Sequence, residues 1–171
     1  MAVWFIADTH FGRQPRHRIK TTGLTGPELD DLMLSRWREC IGEGDTVWHL
    51  GDIGPDRHLL EDLPGNKYLI KGNDDPSLVT MRDSGLVADA WKRHLLQLED
   101  VALYLVHDPR DAPAAPGGVV VHGHTHELEP APGQYSISVD RTQWAPVSLE
   151  SLKRLIIDDS NLVASEAPSR T

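Results

Sequence analysis

The chain has 171 residues, 17 Lys+Arg against 26 Asp+Glu, a formal net charge of −9, and nine histidines. That length fits one domain with a real hydrophobic core, and the acidic balance excludes a protein that grips nucleic acid mainly by neutralising phosphates with clustered Lys and Arg. The single cysteine, Cys40, excludes an internal disulfide, no apolar run approaches the roughly 20 residues of a membrane span, and the first residues lack the basic leader of a signal peptide, so a cytoplasmic protein is expected.

Residues 2–7 (AVWFIA) predict a buried strand, followed by a basic stretch carrying Arg13, Arg16, Arg18 and Lys20. Residues 27–41 predict a helix: Pro27 suits a first helical position, and Leu29, Leu32, Met33, Trp37, Cys40 and Ile41 recur at helical spacing. Strands follow at 45–50 and 66–71, with a short helix at 56–63 closed by Pro64-Gly65. This strand–helix–strand–helix–strand opening is the signature of a parallel α/β layer. In the second half, strands are expected at 86–97, 101–107, 118–123 and 135–140, joined by tighter turns, with Glu99-Asp100 making a hairpin. Residues 111–118 and 127–134 are loops, and a last helix over 148–157 starts at an N-cap, Ser148. Residues 1–158 are expected to form one domain and residues 159–171 a flexible tail.

The Asp, Asn and His residues cluster at strand ends. Asp8 and His10 follow the first strand, Gly51-Asp52 the second, and Gly72-Asn73-Asp74-Asp75 the third; His107 ends a later strand and Gly123-His124-Thr125-His126 the next. In an open α/β sheet ligands bind outside the carboxyl ends of the strands, so five strand ends deliver oxygen and imidazole donors to one edge. Singly, each is weak: Gly-Asp and Gly-Asn-Asp-Asp are ordinary turn sequences, and a lone histidine is more often core or surface. His-x-His is stronger, because alternate strand positions share a face. Together, two Asp, one Asn and four His form a mixed O/N set suited to Mn, Fe, Zn or Ni rather than Mg or Ca. Seven donors exceed one tetrahedral ion and suit two ions about 3.5–4 Å apart. Of the remaining histidines, His17, His58 and His94 have no assigned role, and His49 and His122 are expected in the core or behind a ligand.

The order Asp8-x-His10, Gly51-Asp52, Gly72-Asn73, His107, Gly123-His124-x-His126 resembles the calcineurin-like metallophosphoesterases over nearly the whole chain, most of all the small bacterial and phage members. Ile6 to Gly12, Asp45 to Asp52, Val139-Asp140 and Pro146 to Leu149 extend the resemblance. It implies a four-layer α/β/β/α metallophosphoesterase β-sandwich flanked by helices, and hydrolysis of phosphate esters by a hydroxide held between two divalent transition-metal ions, with Mn expected and Fe, Zn or Ni as alternatives. Asp8, His10 and His126 would hold one ion, Asn73, His107 and His124 the other, and Asp52 both.

One departure bears on substrate. Most members carry His where this chain has Asp74, and that His is thought to orient substrate and protonate the leaving oxygen. An anionic Asp74 makes a poor general acid and repels a dianionic monoester, so phosphodiesters are the expected substrates, with a monoesterase or nucleotide phosphatase as the alternative. Asp75 is expected to hydrogen-bond His10 or another ligand, and Arg13 to contact phosphate; Asn73, Asp74 and Arg13 are thus the catalytic candidates beside the metal ligands. The expected partner is a small phosphate ester, including a nucleotide or a nucleic-acid end, with no membrane and no extended nucleic-acid surface. A non-catalytic metal-binding relative is disfavoured because all seven donors are kept. A metallo-β-lactamase reading of His124-x-His126 fails on Leu128, where an Asp is wanted, and no P-loop is present.

Overall fold

In the computed structural model residues 1–126 and 128–166 are described, the last eight as backbone only. In chain order the elements are β1 (Val3–Ile6), α1 (Arg16–Thr22), α2 (Gly26–Cys40), β2 (Thr46–His49), β3 (Asn66–Ile70), α3 (Leu78–Asp83), β4 (Asp89–Trp91), β5 (Arg93–Gln97), β6 (Ala102–Val106), β7 (Val119–His122), β8 (Gln134–Ser136), β9 (Val147–Ser148) and α4 (Leu149–Glu166), with 3-10 turns at Arg57–Leu60 and Pro109–Asp111.

Side chains alternate across each strand and build two apolar layers. The first sheet has the order β4-β3-β2-β1-β9, with β4 to β1 parallel and β9 antiparallel to β1. On its outer face Ile6, Val47 and Leu69 pack with Met33, Leu34, Trp37 and Ile41 from the α2 side and Met81 of α3. On its inner face Phe5, Ala7, Trp48, Leu50 and Ile70 meet Leu103, Leu105 and Val121 of the second sheet, whose order is β5-β6-β7-β8. Leu149, Leu152 and Ile156 of α4 join this inner cluster. The fold is therefore two sheets flanked by helices. Among the described residues, no helix is long and apolar enough to cross a membrane.

The structure departs from the sequence reading in several places. The basic stretch after β1 contains a helix, α1, and α3 forms behind a Ser77 cap whose side chain accepts from Thr80 N–H at 3.1 Å. The expected strand 86–97 is two strands in different sheets: the chain crosses at Lys92, and Trp91 and His94, with ring centroids 4.9 Å apart, both pack against the Trp48 ring, His94 stacked and Trp91 tilted. Among the described strands only β5–β6 is a hairpin. The β6–β7 and β7–β8 pairs are parallel, because the long loops after each strand carry the chain back to the same end. Strand β9 was not predicted. Ser148 does cap α4, accepting from Ser151 N–H at 3.1 Å, but the helix continues to Glu166 through residues expected to be tail, where no Gly or Pro interrupts; the rest of that tail lies outside the described residues.

Candidate metal centre

The strand ends converge because their loops continue the ladder. Beyond β1 and β2, Asp8 N–H donates to Gly51 C=O (2.9 Å), His10 N–H to Asp52 C=O (3.0 Å) and Phe11 N–H to Ile53 C=O (2.7 Å). The two sheets meet at the same end, where Ala7 bridges Ser138. Glycine is required at Gly51, with φ +95°: a Cβ there would lie 2.5 Å from Gly72 N and 2.7 Å from His107 Nδ1. Five donor-bearing residues, Asp8, His10, Asp52, His124 and His126, also have φ between 47° and 67°. Side chains rarely adopt this left-handed region, Asp and His more readily than most, and such strain gathers where function needs an over-determined geometry.

The seven predicted ligand residues come together here, with Asp74 beside them. Carboxylate or imidazole atoms of Asp8, His10 and His126 lie within 4.8 Å of one another, as do those of Asp52, His107 and His124, and those of His10, Asp52 and Asp74. Asn73 Oδ1 sits 3.0 Å from both His107 Nε2 and His124 Nδ1, which are 3.2 Å apart. His107 Nδ1 lies 2.8 Å from the Leu50 carbonyl, so in neutral His107 the proton sits on Nδ1 and the Nε2 lone pair turns towards Asn73 and His124. His10 Nε2 is buried without a hydrogen-bond partner, 3.9 Å from Asp52 Oδ2. Converging lone pairs and an orphaned buried nitrogen are what a cation would satisfy, so the residues fit a metal.

Protons stand in for that positive charge in the metal-free molecule. Burial works against a charged His107, but the Asp52 hydrogen bond, the Asp8 and Asp52 charges and the Leu50 carbonyl together raise its pKa to about 9. Burial likewise pushes Asp52 up, yet His107 and the Asp74 N–H hold it down at about 2. Asp8, fully buried, is raised by desolvation. His10 falls to about 4, through burial first and the Arg18 charge second.

Several participants were not identified from sequence. Asp140 Oδ2 lies 2.7 Å from His126 Nδ1, and buried Arg18 grips the same carboxylate through Nε (2.8 Å) and Nη2 (2.5 Å). Arg18 had been grouped with a basic stretch; its partner is 122 residues away, and Asp140 was noted only as part of the Val139-Asp140 motif at the end of an expected strand, with no role assigned. Asp75 does not reach His10. Its carboxylate instead accepts backbone N–H groups of Asp52 (2.9 Å), Ile53 (2.9 Å) and Gly72 (2.8 Å), tying two donor loops together. His49 is buried behind the site: Gly51 N–H donates to its Nδ1 (3.2 Å), and its Nε2 meets Thr9 Oγ1 (3.0 Å). At the mouth, Arg13 Nη2 reaches Asp74 Oδ2 at 3.4 Å, with both side chains partly exposed.

Residues 1–136 match the model of the calcineurin-like phosphoesterase superfamily domain. The Gene 66 protein of Mycobacterium phage D29 is 32% identical over 153 residues, covering 83% of this chain and 70% of that protein. The Gene 66 protein of Mycobacterium phage L5 is 33% identical over 97 residues, 52% of this chain, and the match spans only 47% of that relative. A protein of unknown function, AQ665 from Aquifex aeolicus, has a similar fold, with a TM-score of 0.74 at 20% identity over 91% of this chain and 99% of that one.

Proposed function

The chain belongs to the calcineurin-like phosphoesterase superfamily, and from that premise we propose that it is a dinuclear metal-dependent hydrolase of phosphodiesters. The observation that carries this reading is the convergence of Asn73 Oδ1, His107 Nε2 and His124 Nδ1 within 3.2 Å, beside the unpartnered buried Nε2 of His10. Asp8, His10 and His126 would hold one divalent ion, Asn73, His107 and His124 the second, and Asp52 both. Such a pair, when bound, supplies an activated water and offsets the charge that develops on phosphate.

The rest is done by the chain's own groups. Two of the histidines are held for ligation by their outward nitrogens, His126 on Asp140 and His107 on the Leu50 carbonyl. Asn73 donates Nδ2–H to Asp74 Oδ1 (3.1 Å), which turns its own Oδ1 towards the two histidines. Asp74 thus orients a ligand while placing a carboxylate at the mouth, 4.0 Å from His10 Nδ1. That negative charge disfavours a dianionic monoester more than a monoanionic diester, and a carboxylate without a proton cannot protonate a leaving group, which selects esters whose leaving group needs none. Arg13, an exposed cation 3.4 Å from Asp74, is placed to exchange that carboxylate for a substrate phosphate.

Metal-loaded protein assayed with bis-p-nitrophenyl phosphate and p-nitrophenyl phosphate tests the reading. Diester turnover exceeding monoester turnover is expected with Mn; absence of turnover with every divalent ion tried would overturn it.

A further inference from the structure

The two halves of the proposed centre are backed by different chemistry. Behind His126 stands a buried ionic network: Asp140 Oδ2 meets His126 Nδ1 at 2.7 Å and accepts Ser138 Oγ–H at 3.0 Å, while Arg18 spans both Asp140 oxygens. The Arg18 and Asp140 side chains are 0% and 2% exposed. Every arm of the guanidinium is engaged: Nη1 donates to Gln14 Oε1 at 2.9 Å, and the group lies 5.4 Å over the Trp144 ring. Gln14 in turn donates Nε2–H to the Thr9 (2.7 Å) and His10 (3.2 Å) carbonyls, so the network grips the His10 loop as well.

The other half has weaker support. His107 leans on a neutral carbonyl, that of Leu50. His124, 32% exposed, has its Nε2 3.4 Å from Asp108 Oδ2, too long for a good hydrogen bond, and Asp108 is itself engaged by the exposed Arg110.

We propose that Arg18 is a positioning residue that makes the two halves unequal, giving the Asp8/His10/His126 half the tighter hold on a divalent cation and leaving the Asn73/His107/His124 half the looser. The proposal rests on the dinuclear reading above. An ionised carboxylate behind a ligating imidazole fixes the ring and makes its free nitrogen a stronger donor than a carbonyl does, and losing such a partner typically costs about 10–100-fold in metal affinity. Arg18 is the group that spans both Asp140 oxygens and so fixes the carboxylate plane, beside Ser138 Oγ–H on Oδ2 and His17 Nε2 3.4 Å from Oδ1, and its Nη2 also lies 3.2 Å from His126 Nδ1. A stability role alone explains the network poorly, because buried ion pairs are often no better for stability than apolar residues of the same volume.

Titration of the metal-free full chain with Mn²⁺, followed by calorimetry, tests this. Wild-type protein is expected to bind two ions in two separable steps, and His107→Gln to remove the weaker step while keeping the tighter. Arg18→Met should weaken the tighter step about 10–100-fold and leave the other within about twofold. Arg18→Lys should behave like Arg18→Met, since an ammonium cannot span both carboxylate oxygens. If Arg18→Met does not fold, the double variant Arg18→Met/Asp140→Asn removes both charges together, and the same loss confined to the tighter step is expected. Thermal unfolding of the metal-free variants is recorded in parallel, because a merely structural residue would lower Tm and leave the ratio of the two affinities unchanged. Equal wild-type steps, loss of the tighter step in His107→Gln, or an unchanged ratio in the Arg18 variants would each overturn the proposal while leaving the dinuclear reading intact. Wild-type protein that binds no Mn²⁺, or a single ion, would overturn that reading itself.

Discussion

Asp8 combines three burdens: a left-handed backbone with φ 59°, complete burial, and a carboxyl pushed up by desolvation. Asn tolerates that backbone at least as well, carries no charge to desolvate, and can still accept the His124 N–H that Asp8 accepts at 3.0 Å. Asp8→Asn should therefore leave the metal-free protein as stable as wild type or more so, by up to about 1 kcal/mol, and abolish stabilisation by Mn; thermal unfolding with and without metal checks both. On the proposed reading the carboxylate at position 74 disfavours dianions, so Asp74→His should raise monoester relative to diester kcat/KM by about tenfold or more, and an unaltered ratio would show that this side chain does not set the preference. His107 fixes the sign of a pH effect. Its folded pKa, about 9, lies above the ordinary 6.5. Its contribution to the metal-free fold is thus complete below pH 6.5 and lost as pH rises through 9. Chemical denaturation of metal-free protein should show stability falling across that window, and His107→Gln should flatten the fall.

At the scale of elements, the loops that carry the donors depend on backbone approach, whereas the helices depend on caps and packing. Gly51→Ala would drive a methyl group against Gly72 and His107 and should cost metal binding and stability together. Thr25 opens α2 with a capping box, accepting Glu28 N–H (3.4 Å) while Glu28 accepts Thr25 N–H (2.7 Å). Thr25→Ala should cost about 1 kcal/mol of stability and leave metal affinity unchanged; the pair of variants, compared by unfolding and metal titration, separates fold from site.

The same contrast explains what the sequence revealed. β1, β2 and β3 were legible because buried parallel strands are short apolar runs, and each is followed by polar residues that are ordinary turn sequences singly and point to a site only when taken together. The basic stretch at 13–20 was misread because Arg18 looks like its solvated neighbours until Asp140 arrives from the far end of the chain. The 86–97 run hid a change of sheet, since alternation persists on both sides of Lys92. Asp75 was expected to bond His10 or another ligand; it misses His10 and meets Asp52 through the backbone N–H rather than the side chain, as one of three backbone N–H groups it satisfies.

In the whole molecule, the proposed centre draws Asp8, His10, Asp52 and Asn73 from loops of the first sheet and His107, His124 and His126 from loops of the second, so it lies where the two sheets are tied by the Ala7–Ser138 bridge. The net charge of −9 misrepresents this place. Two divalent ions would more than offset Asp8 and Asp52, and attraction for phosphate would come from the metals rather than from a basic surface. The central claim is that this junction holds two ions and uses them on diesters. The most direct test is elemental analysis of protein reconstituted with Mn²⁺ and freed of excess metal, together with its rates on bis-p-nitrophenyl phosphate and p-nitrophenyl phosphate. Two ions per chain with preferential diester hydrolysis is the predicted result. Protein that retains no divalent metal, or that retains two ions and hydrolyses neither ester, would contradict it.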